Sequence, residues 1–152
     1  MKAFQFKLGA LLRLKETKKD QALSNLAKAI QKVALTEQKL RRSQGRFDKI
    51  IDLIKKHQEM HFDVVQMKIL HDSLQVEKEN LEKIQLQLNH CRDIENSRRK
   101  IFLDKDSQYK ALLRLKEKQQ EQHFLSESNK EQKELEDIIA ARFLFHSNPA
   151  KF

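Results

Sequence analysis

The stretch LSNLAKAIQKVALTEQKLRRSQGRFDKIIDLI, residues 23–54, decides the fold class of this chain. Hydrophobic residues recur along it every three or four positions, and charged residues fill the positions between them. A spacing that alternates between three and four is the pattern of the a and d positions of a left-handed coiled coil. The stretch therefore predicts a long helix that buries one narrow stripe against another helix.

The same seven-residue repeat continues through most of the chain. In the first half the leading column is Leu12, Leu26, Val33, Leu40, Phe47 and Ile54, and the predicted partner column is Leu23, Ile30 and Ile51. In the second half the two columns are Met60, Met67, Leu74, Leu81, Leu88, Phe102 and Tyr109, and Leu70, Ile84, Cys91 and Leu112. Polar interruptions such as Glu77 cost stability but fix the register of the two helices.

The composition excludes most other folds. The chain has two glycines and a single proline, Pro149, and 35% of its residues are charged. So few chain-breaking residues cannot supply the turns of a β-sandwich or an α/β domain. We therefore expect an all-α fold in which two long helices form an antiparallel coiled-coil hairpin, with helix two longer than helix one.

The predicted boundaries describe a single coiled-coil domain over residues 1–152. They are helix one at about 5–57, a turn at about 57–63, helix two at about 64–145 and a disordered tail at 146–152. Asp63 and Gln66 have the spacing of a capping box at the start of helix two. Ser128 and Glu131 have it as well, so residues 126–129 are a candidate break in helix two.

The two termini carry apolar residues that the helix pair does not obviously bury. Helix two extends beyond its partner, and this extension contains Leu135, Ile138, Ile139, Phe143, Leu144 and Phe145. Exposed apolar clusters on a charged chain usually mark a partner site. Phe4 and Phe6 have two interpretations: rings that cover the start of the helix pair, or aromatic anchors for a pocket in a partner.

Charge and cysteine content limit the partners and the compartment. The formal net charge is +9, and the excess of lysine and arginine lies before residue 59. A basic stripe suits nucleic acid, an anionic membrane surface or an acidic protein, although most such stripes are solvated helix faces. Cys91 is the single cysteine, so no intrachain disulfide can form and a reducing, cytoplasmic location is expected.

No enzymatic site is expected, because two packed helices do not enclose a pocket and no phosphate-binding loop is present. His57 and His61 are four residues apart, as some paired zinc ligands are, but solvated histidines are the simpler interpretation. Cys91 is interpreted as a small packing residue of the helix seam. The expected catalytic, cofactor and metal sites are therefore none.

Three stretches, taken in order, resemble the FliJ family. They are Phe4-Gln5-Phe6-Lys7-Leu8-Gly9-Ala10-Leu11-Leu12-Arg13-Leu14-Lys15-Glu16, Tyr109-Lys110-Ala111-Leu112-Leu113-Arg114-Leu115-Lys116, and the acidic Lys130-Glu131-Gln132-Lys133-Glu134-Leu135-Glu136-Asp137-Ile138. The resemblance covers nearly the whole chain in order and length. It implies a soluble stalk and chaperone component of the flagellar type III export apparatus, similar to the stalks of virulence secretion systems and to the γ subunit of rotary ATPases.

The resemblance also implies partners and sites. The paired termini would enter the hexameric export ATPase ring, another surface would bind the cytoplasmic domain of the export gate, and export chaperones would bind as well. The implied ring-facing residues are Phe4, Phe6, Leu8, Leu11, Leu12, Lys133, Leu135, Glu136, Asp137 and Ile138. The implied gate-facing residues are Met67, Leu70 and Leu74, for which seam packing is the competing interpretation. The chain would then lie in the cytoplasm and reach the inner membrane only through these partners.

Two other functions stay open at this point. One is a generic coiled-coil scaffold or chaperone of another pathway, and the other is a basic coiled coil that binds nucleic acid. Steep salt dependence of binding to arbitrary DNA would distinguish the second. The seam can close within one chain or between chains, and we expect a monomeric hairpin, without nucleic acid, for the free protein.

Overall fold

The computed structural model describes residues 2–60 and 63–147, without the side chain of Ser147. They form two α-helices, α1 (Gly9–Glu59) and α2 (Val64–Ser147), of 51 and 84 residues. The described residues contain no strand, and the two helices pack against each other. The expected all-α fold of two long helices with a longer second one is confirmed.

The chain divides into two compact units, each built from both helices. The hairpin unit is Lys19–Lys105, and the terminal unit is Met1–Lys18 together with Asp106–Phe152. In the hairpin unit, Thr36 lies beside Cys91, whereas Ser43 lies beside Glu77. Residue numbers thus rise on α1 as they fall on α2, which is the antiparallel order. The terminal unit has its own cross-helix hydrogen bond from Lys15 Nζ to Gln108 Oε1 at 2.8 Å.

The leading column of helix one is confirmed, but its partner column is wrong at Leu23 and Ile30. Leu23 and Ile30 are 47% and 43% exposed, whereas Ala22 and Ala29, one residue earlier, are buried. Ser43 continues the buried column, and Ile51 is half-buried. Both candidate columns satisfy the three-and-four spacing, because they flank the leading column on opposite sides. The structure buries the side with small residues.

The columns of α2 are confirmed over most of their length. Leu88 is the most buried large side chain, at 1% exposure, and Cys91 is half-buried with Sγ 3.8 Å from Thr36 Oγ1. Met60 departs from the pattern: it is 70% exposed because it follows the end of α1 and does not lie on a helix. The core is therefore a narrow seam along the two helices.

The helix ends have local causes. Residues 2–6 lie outside the helix, and α1 begins at Gly9, whose N–H donates to the Phe6 carbonyl at 3.1 Å. At the start of α2, Asp63 is the N-cap residue, since its Oδ1 accepts the Val65 N–H at 3.1 Å. The turn predicted at about 57–63 and the tail predicted at 146–152 both begin later than expected, because α1 continues to Glu59 and α2 to Ser147. The rest of the tail, residues 148–152, and His61 and Phe62 of the turn lie outside the described residues.

The candidate break at residues 126–129 is absent, because α2 is continuous from Val64 to Ser147. Serine is only mildly unfavourable inside a helix, and neither glycine nor proline lies nearby. Glu127 also forms a salt bridge with Lys130 at 3.7 Å, one helical turn later, which supports the helix there. The capping-box spacing at Ser128 is therefore not used.

Candidate functional site

The surface of the described part of the chain has shallow grooves along the helix pair. One of them, of about 650 Å³, runs between Leu40 on α1 and Leu81 and Leu86 on α2. Within residues 2–60 and 63–147, no three histidine, cysteine or acidic side chains gather as a metal site requires. His57 is half-buried, whereas His61 falls outside the described residues. No described helix has a stretch long and apolar enough to span a bilayer.

The last part of α2 is an exposed surface of the terminal unit. Every residue from 129 to 146 is exposed. The large apolar side chains among them are Leu135, Ile138, Ile139, Phe143, Leu144 and Phe145, each more than half exposed. The exposure that the sequence predicted for this cluster is confirmed.

One side of this helix end combines apolar and acidic residues. Ile138 and Ile139 follow Leu135 by three and four residues and therefore share a side with it. Glu134 and Glu136 lie about 100° to either side of Leu135, because each residue advances an α-helix by that angle. The helix end is thus an apolar stripe with carboxylates on both flanks.

The N-terminal segment is held on α2 within the same unit. The Phe4 ring lies 5.6 Å from the His123 ring, centroid to centroid, at a tilt of 49°. The carbonyl oxygen of Lys2 is 2.9 Å from His123 Nε2, and the Lys2 N–H donates to the Glu127 carboxylate. Phe4 and Phe6 are both half-buried. The structure therefore favours the first interpretation of the phenylalanines, in which a ring covers the helix pair.

Among the described residues, Glu127 is the one group whose pKa is clearly shifted. Its side chain is 12% exposed, and this partial burial by itself raises the carboxyl pKa. The hydrogen bond from the Lys2 backbone and the charges of Lys130 and His123 lower the pKa by more. The net result is a pKa below the usual glutamate value, so Glu127 is charged at neutral pH.

The ten predicted ring-facing residues all belong to the terminal unit but differ in exposure. Leu12 is buried in the seam, Leu8 and Leu11 are partly exposed, and residues 133–138 are fully on the surface. Among the N-terminal members, Phe4 contacts α2 at His123. His123 lies twelve residues, or about 18 Å of helix, before Leu135.

The predicted gate-facing residues Met67, Leu70 and Leu74 are half-buried positions of the seam in the hairpin unit. Their exposed neighbours are Ile69 and Val76, which border a groove of about 460 Å³ that Ile50 and Asp72 also line. The sequence contained a signal for this surface, because Val65, Ile69 and Val76 are spaced four and seven residues apart. The stronger heptad beside it obscured that second stripe.

Comparison with known proteins agrees with this architecture. A solved structure from Chlamydia trachomatis, described as a YscO homolog, superposes with a TM-score of 0.64 at 15% sequence identity. The match covers 97% of this chain and 99% of that one, and it shows a shared fold. No curated protein matches the sequence.

The family model of the flagellar FliJ protein matches residues 4–148. This range includes the three stretches on which the resemblance was based, and it runs through both helices of the structure. The resemblance predicted from the sequence is thereby confirmed. The chain belongs to the FliJ family.

Proposed function

We propose that this chain is a non-catalytic stalk of the flagellar type III export apparatus, and that it binds the export ATPase ring through its terminal unit. Membership of the FliJ family and the two-helix fold support a stalk. The observation that carries the proposed contact is the exposed apolar and charged end of α2, residues 129–146.

The exposed ring-facing residues supply two kinds of contact. Leu135 and Ile138 provide apolar area, and Lys133, Glu136 and Asp137 surround them with charges of both signs. A helix with such a mixed surface makes different contacts with each subunit of a ring. A ligand shifts a conformational equilibrium only through such differences in binding, so this surface is suited to changing ATPase turnover.

The N-terminal members of the proposed site act in two ways. Leu8 and Leu11 are partly exposed and can touch the ring, whereas Leu12 supports the helix from inside the seam. Phe4 and Phe6 are half-buried, and Phe4 lies on His123. Their contribution is therefore to hold the terminal unit together and to add the edges of their phenyl groups to its surface.

A second surface of the hairpin unit would engage the cytoplasmic domain of the export gate. It comprises Met67, Leu70 and Leu74, together with the exposed Ile69 and Val76 beside them. The two outer residues supply the accessible apolar area, and the three seam residues hold them in place. Export chaperones are further proposed partners, and the protein would lie in the cytoplasm at the inner membrane.

The test is binding and hydrolysis with the purified cognate export ATPase. Leu135→Asp should weaken binding about tenfold or more, because a charge replaces an apolar anchor at the centre of the contact. Leu103→Asp is the matched control, since Leu103 and Leu135 are both 57% exposed on α2. The control should bind the ATPase and change its rate as the unmodified chain does.

Two results would contradict the ring contact. One is an unmodified chain that neither binds the ATPase nor alters its hydrolysis rate. The other is an equal loss for both aspartate variants, which would point to a general effect of the charge. Far-ultraviolet circular dichroism of each variant verifies that the helices are intact.

A further inference from the structure

We propose that the chain associates with itself head to tail, with the end of α2 in one copy docked in a basic groove of a second copy. The end of α2 is defined as residues 131–146 and is called the acidic end. The basic groove is the depression between α1 and α2 that Lys28, Lys32, Leu35, Ile94 and Arg98 border. This inference does not depend on the proposed export function.

The groove joins apolar and positive surface. Its volume is about 490 Å³, and its floor includes Ala29, one of the small buried residues of the seam. Leu35 is 52% exposed at its edge. Two lysines and an arginine line it and no carboxylate does. The nearby Glu95 pairs with Arg99 of its own helix at 3.0 Å.

The acidic end has the complementary composition. Leu135, Ile138 and Ile139 form its apolar stripe, and Glu134 and Glu136 flank that stripe. Glu136 accepts a hydrogen bond from Gln132 at 3.3 Å on the surface. Residues 131–137 contain four acidic residues and one lysine.

The two surfaces also match in length. Ten residues separate Leu135 from Phe145 along the acidic end, and ten separate Asn25 from Leu35 along the groove. Each distance is about 15 Å of helix. A third helix that packs into the groove of a helix pair buries its apolar stripe while its flanks face the rims. Here the flanking glutamates would meet Lys28, Lys32 and Arg98.

A second copy is the occupant we favour because every copy supplies such a helix. The contact is heterologous, since different surfaces of the two copies meet, and repetition would extend it into longer chains. Docking also covers the residues proposed to bind the ATPase ring. Self-association and ring binding would then exclude each other.

The first experiment is sedimentation of the full chain over a wide concentration range at two salt concentrations. We expect concentration-dependent association that weakens about tenfold or more between about 0.1 M and about 1 M NaCl, because the Debye length falls from about 10 Å to about 3 Å. A chain that stays monomeric under all conditions would overturn the proposal. Association that salt does not weaken would do the same.

The second experiment uses two charge-reversal variants. Lys28→Glu with Lys32→Glu disables the groove, and Glu134→Lys with Glu136→Lys disables the acidic end. Each variant alone should associate at least about tenfold less tightly than the unmodified chain. An equimolar mixture should regain association, because one variant supplies an intact groove and the other an intact end.

The behaviour of the mixture distinguishes a head-to-tail interface from a symmetric one. A symmetric interface between like surfaces would leave the mixture as weakly associated as its components, and this result would refute head-to-tail docking. Full self-association by the groove variant would refute it too, since the contact would then lie elsewhere. All four positions are exposed, so the variants should keep the helix content of the unmodified chain.

Discussion

The hydroxyl of Ser43 on α1 donates a hydrogen bond to Glu77 Oε2 on α2 at 3.3 Å, inside the seam of the hairpin unit. Ser43 is completely buried, and the Glu77 side chain is 16% exposed. Arg46 Nε donates to the other oxygen of Glu77 at 3.2 Å. A buried polar side chain needs such partners, so this layer favours one alignment of the two helices over shifted ones.

Removal of the Glu77 carboxylate should therefore destabilise the protein. We expect Glu77→Ala to lower the free energy of unfolding by about 1–3 kcal/mol, because the buried Ser43 hydroxyl loses its acceptor. Urea unfolding followed by circular dichroism measures this change. Glu79→Ala is the control: Glu79 is an exposed residue of the same helix and should change the value by less than about 0.5 kcal/mol.

The same layer predicts a non-additive double substitution. Ser43→Ala combined with Glu77→Leu removes both polar groups at once and should cost less than Glu77→Ala alone, since no buried group is left unsatisfied. The measurement is again urea unfolding. Equal or greater cost in the double variant would mean that Glu77 stabilises the seam through Arg46 or packing and not through Ser43.

The buried column of small residues on α1 predicts that Ala29 tolerates substitution poorly, whereas the adjacent Ile30 tolerates it well. Ala29→Leu should lower the free energy of unfolding by about 1–3 kcal/mol, because the extra atoms do not fit in a close helix contact. Ile30→Ala should cost less than about 1 kcal/mol, because Ile30 is already 43% exposed. Thermal or urea unfolding checks both. A larger loss for Ile30→Ala than for Ala29→Leu would instead support the partner column predicted from the sequence.

Leu88 should be the most sensitive leucine of α2. Its side chain is 1% exposed, whereas Leu86, two residues earlier, is 69% exposed. Leu88→Ala should lower the free energy of unfolding by about 2–5 kcal/mol through lost burial and the cavity that remains. Leu86→Ala should cost less than about 1 kcal/mol. Similar losses for the two leucines would contradict the assigned seam.

Acidification should release the N-terminal segment from α2. The Glu127 carboxyl has a lowered pKa when the N-terminal segment is docked on α2. Its contribution to the stability of this contact is therefore fully present above the pKa of the undocked group. The contribution is lost as the pH falls through the lowered pKa, because the protonated group no longer accepts the Lys2 N–H as a charged acceptor. The amide shift of Lys2 in a nuclear magnetic resonance titration reports this transition.

The matched variant for this titration is Glu127→Gln. The amide of Lys2 should then show no transition in the carboxyl range, because the glutamine side chain does not titrate. A midpoint at or above that of an ordinary exposed glutamate in the unmodified chain would show that the Lys2 contact and nearby charges do not favour the carboxylate.

Much of the architecture followed from local patterns. The heptads of Leu26, Val33, Leu74 and Leu88 predicted two helices, because hydrophobic period and the scarcity of breaking residues are properties of neighbouring positions. The longer second helix and the exposed cluster around Ile138 followed from the unequal lengths of the two segments. Family membership was likewise predicted from the order of the terminal motifs.

The tertiary structure selected one of two residue columns on α1 that the sequence spacing left equivalent. Leu23 and Ala22 both fit the heptad, and only the close contact between helices selected the smaller residue for the interior. The docking of Phe4 on His123 joins residues far apart in the chain, so no short-range pattern contains it. A helical period specifies that a stripe is buried, whereas the side chains of the opposing helix determine which stripe it is.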